Sequence, residues 1–178
     1  MGNIISFDEN VFVDDDSLSL SNGLTDVLID FLLLAGSELA ESENQKMITV
    51  FLAEKQQTKI GIGNVGFDII TMPWQIHTFD TDKAFLLKTI SYARTISLQQ
   101  STWKILKYKP NLEHLMYALD GFEKLINRMS ISDVNENNIK EWINEAEKDD
   151  PIYCGFPKCS KHGIMLSMFG CKFCNDGL

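Results

Sequence analysis

The sequence predicts an α+β fold, with a small antiparallel sheet packed with several amphipathic helices and a C-terminal module of zinc-ribbon or knuckle type. Three observations lead there. Apolar residues recur at helical spacing over residues 24–39 and 112–129, β-branched and aromatic residues cluster over residues 47–53 and 60–72, and all four cysteines fall between positions 154 and 174. The 178 residues, 44% of them hydrophobic, suffice for one core, so residues 1–150 read as one α+β domain and residues 151–178 as a cysteine-rich zinc-binding module. A charged fraction of 23% is that of a globular chain and excludes wholesale disorder.

Each element has a local reason. Residues 3–7 and 10–13 are short β-prone runs separated by Asp8 and Glu9, the pattern of a hairpin. Leu24, Val27, Leu28, Phe31, Leu32, Ala35 and Leu39 lie on one helical stripe, with Ser21 or Asn22 available as a cap and the acids expected on the outer face. Residues 47–53 and 60–72 predict two antiparallel strands joined through Glu54, Lys55, Gln56 and Gln57, the second ended by Pro73. Asp80, Thr81 and Asp82 can cap a long helix over residues 83–107 with a break expected near residues 99–102, and Pro110 stops it. Asn111 caps the next helix, where Leu112, Leu115, Met116, Leu119, Phe122, Leu125, Ile126 and Met129 make the cleanest stripe in the chain. Ile139, Trp142, Ile143 and Ala146 mark a shorter one, closed before Pro151.

Charge is distributed unevenly along these elements. The net charge is −9, but residues 1–45 contain ten acids and neither Lys nor Arg, so they carry −10 and the remainder is close to neutral. The bias reverses over residues 83–112, which hold Lys83, Lys88, Arg94, Lys104, Lys107 and Lys109 without an acid. Either the two segments face each other in the fold or are simply solvated, or the acidic one steers the protein toward a basic partner protein. The overall acidity disfavours a nucleic-acid partner, because affinity for phosphates comes from Lys and Arg displacing counterions. Residues 1–6 lack the basic and long apolar regions of a secretory signal, and Asp30 interrupts the best apolar run, so the expectation is a cytoplasmic protein without a transmembrane segment. Gly2 with Ser6 matches the N-myristoylation pattern, but Asp8, Glu9 and the acids at 14–16 would repel anionic lipid.

The specific chemical signal is Cys154, Cys159, Cys171 and Cys174, spaced C-x4-C-x11-C-x2-C, with His162 three residues after Cys159. Tetrahedral zinc takes four thiolate or imidazole ligands, and two short-spaced pairs on tight turns supply them without a large core. Gly155 and Pro157 stand inside the first pair and Gly170 immediately before the second. Two ligand sets satisfy the chemistry: all four cysteines, which the pairing favours, or Cys159, Cys171 and Cys174 with His162 replacing Cys154. Four donors within 21 residues and Asp176 as the single acid beyond Cys154 point to a closed, structural zinc rather than a catalytic one. Lys158, Lys161 and Lys172 are placed to stabilise the thiolates. Over residues 154–174 the arrangement resembles zinc-ribbon and zinc-knuckle modules, although the C-x4-C pair departs from the commoner C-x2-C.

Other motifs carry less. Gly61, Gly63 and Gly66 satisfy G-x-G-x-x-G, but a β-prone run ending in Pro73 follows where a dinucleotide site needs a helix. Asp14, Asp15 and Asp16 lack the glycine and distal glutamate of a calcium loop. His77 and His114 are isolated, Trp74 is expected to pack on the sheet, and no Ser or Cys nucleophile has a partnered His. The sequence therefore predicts a non-catalytic zinc-binding protein acting through protein–protein interaction, of which an acidic immunity- or antitoxin-like inhibitor is one form. Its rivals are a zinc-dependent hydrolase recruiting His77, Asp80 or His114, and a nucleic-acid binder using residues 83–109 with the zinc tail.

Overall fold

The computed structural model describes residues 2–8, 17–55 and 66–175. Among them the fold is mixed α+β, with a three-stranded sheet in the order β2-β1-β3 and seven α-helices. Strand β1 (Gly2–Ser6) pairs antiparallel with β2 (Ser17–Ser21), with Ile4 opposite Ser19, and parallel with the two-residue β3 (Phe67–Asp68). The sheet is therefore mixed rather than purely antiparallel. Leu18 and Leu20 of β2 point inward between exposed serines, the period-two pattern of a half-buried strand. The predicted hairpin partner at residues 10–13 lies outside the described residues, as do Asp14, Asp15, Asp16, Gly61, Gly63 and Asp176.

Helix α1 (Asn22–Leu39) is capped by Ser21, whose side chain accepts from Leu24 N–H at 3.3 Å. The helix is not amphipathic in the sense expected. Leu28, Ile29, Asp30, Phe31, Leu32 and Leu33 are all buried in succession, because α1 is the central helix, with the sheet, α2 (Glu43–Glu54), α3 (Phe79–Ser97) and α5 (Leu112–Arg128) packed around it. Asp30 is thus an interior residue and not part of an outer acidic face.

Residues 47–53, expected as a strand, form most of α2. Ser42 accepts from Gln45 N–H while the Gln45 side chain accepts from Ser42 N–H, so a capping box starts the helix. Met47, Ile48, Thr49, Val50, Phe51, Leu52 and Ala53 are all buried, so β-branched residues here report interior packing rather than a pleated surface. Of the second predicted strand, residues 60–65 lie outside the described residues; in the remainder β3 covers Phe67–Asp68, after which the chain turns through a 3-10 helix at Ile69–Thr71. Trp74 is buried, donates Nε1–H to the Ile69 carbonyl at 2.8 Å and meets the Phe79 ring at 5.5 Å.

Helix α3 starts at Phe79, earlier than its acids suggest. Asp80 and Asp82 lie in its first turn; Asp82 is buried and accepts from Thr78 and Asn44, while burial pushes its carboxyl upward against those hydrogen bonds. The predicted break falls at residues 98–99, before α4 (Gln100–Leu106), where Trp103 Nε1–H donates to the Ser97 carbonyl and fixes the corner. Asn111 caps α5 as expected, accepting from His114 N–H at 3.2 Å, and Leu115, Ala118, Leu119, Phe122, Leu125 and Ile126 form its buried stripe. Helix α6 (Glu136–Glu145) buries Ile139 and sets Trp142 edge-on against Phe51 at 5.8 Å. No helix among the described residues is long and apolar enough to cross a membrane.

The acidic first quarter and the basic stretch are neighbours through α1 and α3, yet Arg94, Lys83, Asp26 and Asp30 are engaged elsewhere. Arg94 of α3 bridges Asp120 and Glu123 of α5 at 2.7 and 2.6 Å, and Lys83 donates to the Asn127 and Met129 carbonyls. Asp26 and Asp30 of α1 instead bind Lys172 in the cysteine-rich segment.

Candidate metal centre

Two tight turns bring the donor atoms together. In the first, Cys159 N–H donates to the Ile164 carbonyl and Gly163 N–H to the Cys159 carbonyl, both at 2.8 Å, with a single antiparallel bridge between Lys158 and Met165 behind them. Gly163 takes φ +71°, the left-handed conformation that lets the chain reverse directly after His162. In the second, Ser167 and Gly170 exchange backbone hydrogen bonds before the short helix α7 (Lys172–Asn175) begins. Cys171 immediately precedes that helix and Cys174 lies three residues on, so both thiols face the first turn.

The result is a cluster of Cys159, His162, Cys171 and Cys174 whose donor atoms all lie within 4.8 Å of one another. His162 Nδ1 is 3.7 Å from Cys159 Sγ, 3.4 Å from Cys171 Sγ and 3.5 Å from Cys174 Sγ, and Cys159 Sγ is 3.7 Å from Cys174 Sγ. A tetrahedral zinc with Zn–S near 2.3 Å and Zn–N near 2.0 Å places its ligands about 3.8 Å apart for two sulfurs and about 3.6 Å apart for sulfur and nitrogen. The spacings are those of the edges of such a tetrahedron, so these four residues could hold a metal ion. Cys154 is exposed and apart from them, its Sγ 3.9 Å from the Asp149 carbonyl. The atoms assembled here are those of the second set that the sequence allowed. His77 and His114 do not join the cluster, and neither does any carboxylate among the described residues.

The electrostatics fit a cation. Burial opposes ionisation of Cys159, but the backbone N–H groups of His162 and Lys161 aim at its sulfur and hold the thiol below its usual range. Cys171 is the reverse: burial, outweighing the Cys174 N–H and reinforced by the neighbouring thiols, pushes it up to about 12. Cys171 thus resists ionisation where no cation is near, and a divalent ion supplies the charge that favours its thiolate. Burial, then the positive charges of Lys161 and Lys107, lower the His162 pKa and favour the neutral imidazole that ligates. The three lysines expected to stabilise the thiolates do not act alike. Lys158 donates to the Ser37 carbonyl, and Lys172 bridges Asp30 at 2.8 Å and Asp26 at 3.1 Å.

Those two lysines belong to a wider attachment of this segment to α1. Met165 N–H donates to Ser37 Oγ at 2.9 Å; Ile164, Cys171 and Phe173 enter the main core, and Phe156 and Met165 pack with Met47, Val50 and Ile139. Sequence reasoning missed this docking. The charge of Asp30 within an apolar run was its one visible trace.

Fold and site together define an α+β protein whose cysteine-rich segment, clasped to its central helix, carries a Cys3His cluster suited to a metal ion. No family model, no curated protein and no solved structure matches this chain.

Proposed function

We propose that this chain is a non-catalytic zinc protein that acts through protein–protein interaction, with Cys159, His162, Cys171 and Cys174 as the ligands and Cys154 outside the set. The observation that carries the reading is the completeness of the donor set: four sulfur and nitrogen donors at tetrahedral spacing leave no open position for water. Sulfur-rich tetrahedral geometry selects zinc among the common divalent ions. The metal then staples residues 159–174, too short a segment to fold on a core of its own, against α1 and fixes the surface they present.

The test is substitution with cobalt in the full chain. Four-coordinate Cys3His cobalt gives intense visible absorption that added azide leaves unchanged, because no ligand position is free. An azide-dependent spectrum marks an open site and overturns the non-catalytic reading in favour of hydrolysis. In parallel, Cys154→Ser should keep one metal per chain by elemental analysis, whereas Cys174→Ser should lose it. Metal lost from Cys154→Ser and retained by His162→Ala would return the assignment to the four-cysteine set.

A further inference from the structure

A cleft of about 500 Å³ opens beside the metal cluster, between α1, the α3–α4 corner and the turn that carries His162. Leu34, Ile96, Ile105 and Ile164 give it apolar walls, and His162 and Lys158 add polar ones. The hydrogen-bond contacts of His162 all run through Nδ1 to the three sulfurs, and its ring meets Phe173 edge-on at 5.8 Å. Its Nε2 has no hydrogen-bond partner among the described residues. A metal-bound histidine normally gives its second N–H to a carboxylate, a carbonyl or water, and here no carboxylate or carbonyl of the described residues takes it, so it is left to solvent or a ligand. A metal on Nδ1 also fixes the tautomer, so Nε2 must carry the proton and can only donate.

The charges around this donor favour an anion. Lys158 lines the cleft, and Lys161 and Lys107 act on the His162 ring. The negative charge lining the cleft is Glu38, already engaged by the Tyr92 hydroxyl. Three lysines outweigh Glu38 and the single net negative charge of a zinc with three thiolates. Lys158 uses one donor on the Ser37 carbonyl and retains two more.

We propose that this cleft docks a carboxylate-bearing apolar segment of a partner protein, with the carboxylate accepting from His162 Nε2–H and from Lys158, and the apolar side chain seated against Leu34, Ile96, Ile105 and Ile164. The inference rests on the zinc reading above and gives it a partner chemistry. It also makes metal and partner mutually dependent, since whatever fixes the His162 tautomer strengthens the contact, and coupling between two sites is reciprocal.

The experiment follows backbone amides of the zinc-loaded full chain by NMR as N-acetyl-leucine is added. Shifts are expected at Gly163, Ile164, Ser101 and Thr102, saturating in the millimolar range for so small a probe. N-acetyl-leucinamide, which lacks the carboxylate, should bind at least about 10-fold more weakly, the worth of a hydrogen bond to a charged group. His162→Cys should keep the metal through four sulfurs and lose that discrimination, while Ile105→Glu, at a position 37% exposed, should weaken both probes without unfolding the protein. Acetyl-Ala-Ala-Leu should bind more tightly than 3-methylbutanoate. Equal binding of the two reassigns the cleft to a small carboxylic acid and overturns docking. Absence of shifts up to about 20 mM N-acetyl-leucine, or unchanged discrimination in a metal-loaded His162→Cys, overturns the proposal while leaving the zinc reading intact. A wild-type chain that takes up no metal overturns both.

Discussion

Lys172 lies between two of the proposed ligands, yet its charge points away from them, into the interior. Its side chain is 9% exposed and that of Asp30 is 5% exposed, and Tyr108 O–H donates to the second Asp30 oxygen at 2.6 Å. Removing one member of such a pair leaves a buried charge uncompensated, which costs about 3 kcal/mol, whereas removing both charges costs much less. Lys172→Met should therefore destabilise the protein by about that amount in urea unfolding, and adding Asp30→Asn should recover part of the loss. Equal losses in the single and double variants would show that the pair does not anchor the segment. Glu54 makes a different kind of prediction. Burial pushes its carboxyl up to about 7; the Trp142 N–H at 2.8 Å opposes this, Asp150 adds to it and Lys55 offsets it. An acid raised in the folded state is easier to protonate there than in the unfolded chain, so stability is greatest below the unfolded value near 4.5 and falls as pH rises to about 7. Glu54→Gln keeps the acceptor for Trp142. It should flatten this decline and exceed the wild type at pH 8 by about 1 kcal/mol, the shift being discounted for partial exposure. Denaturant midpoints at pH 5 and 8 measure both effects.

At the scale of elements, two glycines separate close approach from mere flexibility. A Cβ on Gly66 would lie 1.8 Å from the Ile4 carbonyl oxygen, a backbone atom that cannot swing aside, so β3 reaches β1 only because position 66 has no side chain. Gly66→Ala should cost about 3 kcal/mol and release β3, read as lost amide protection at Phe67 and Asp68. Gly23 is the control: a Cβ there meets nothing within 4 Å, and Gly23→Ala in the first turn of α1 should stabilise by about 0.5 kcal/mol. The same contrast between local pattern and packing decides which elements could be read in advance. Helices α1 and α5 were legible from their apolar spacing and the Asn111 cap, and α3 from the acids at its start, although it begins at Phe79 and ends at Ser97. Helix α2 was not. Its run from Met47 to Ala53 is buried all round, so it shows no 3.6-residue stripe, and its real start signal is the Ser42 and Gln45 box upstream. The Ser-Leu alternation of β2 stood in plain view but was overshadowed by the β-prone run at 10–13.

For the whole molecule, the cysteine cluster was legible and its membership was not. Spacing alone says that two short pairs can meet, but which residue faces the second pair depends on how the chain reverses at Gly163, and that turn places His162 inward and leaves Cys154 on the surface. Charge distribution behaved similarly. Part of the −10 of residues 1–45 is neutralised within the fold, because the buried Asp30 and the half-exposed Asp26 hold Lys172. These ties give metal removal a specific expected outcome. The core residues Leu28, Phe31, Leu32, Ile90, Leu119 and Phe122 come from α1, α3 and α5, three helices that contact one another directly. Ile164, Met165 and Phe173 are buried only while residues 159–174 keep their turns, and the metal that would bridge the two turns is what chelation removes. Chelation should therefore leave the helical far-ultraviolet spectrum largely intact, lower the melting temperature, and raise amide exchange in residues 158–174 together with the face of α1 around Ser37, which Met165 and Lys158 cover. Loss of protection throughout α3 and α5 would show instead that the metal holds the entire fold, and unchanged exchange at Met165 would show that α1 alone is enough to order the segment.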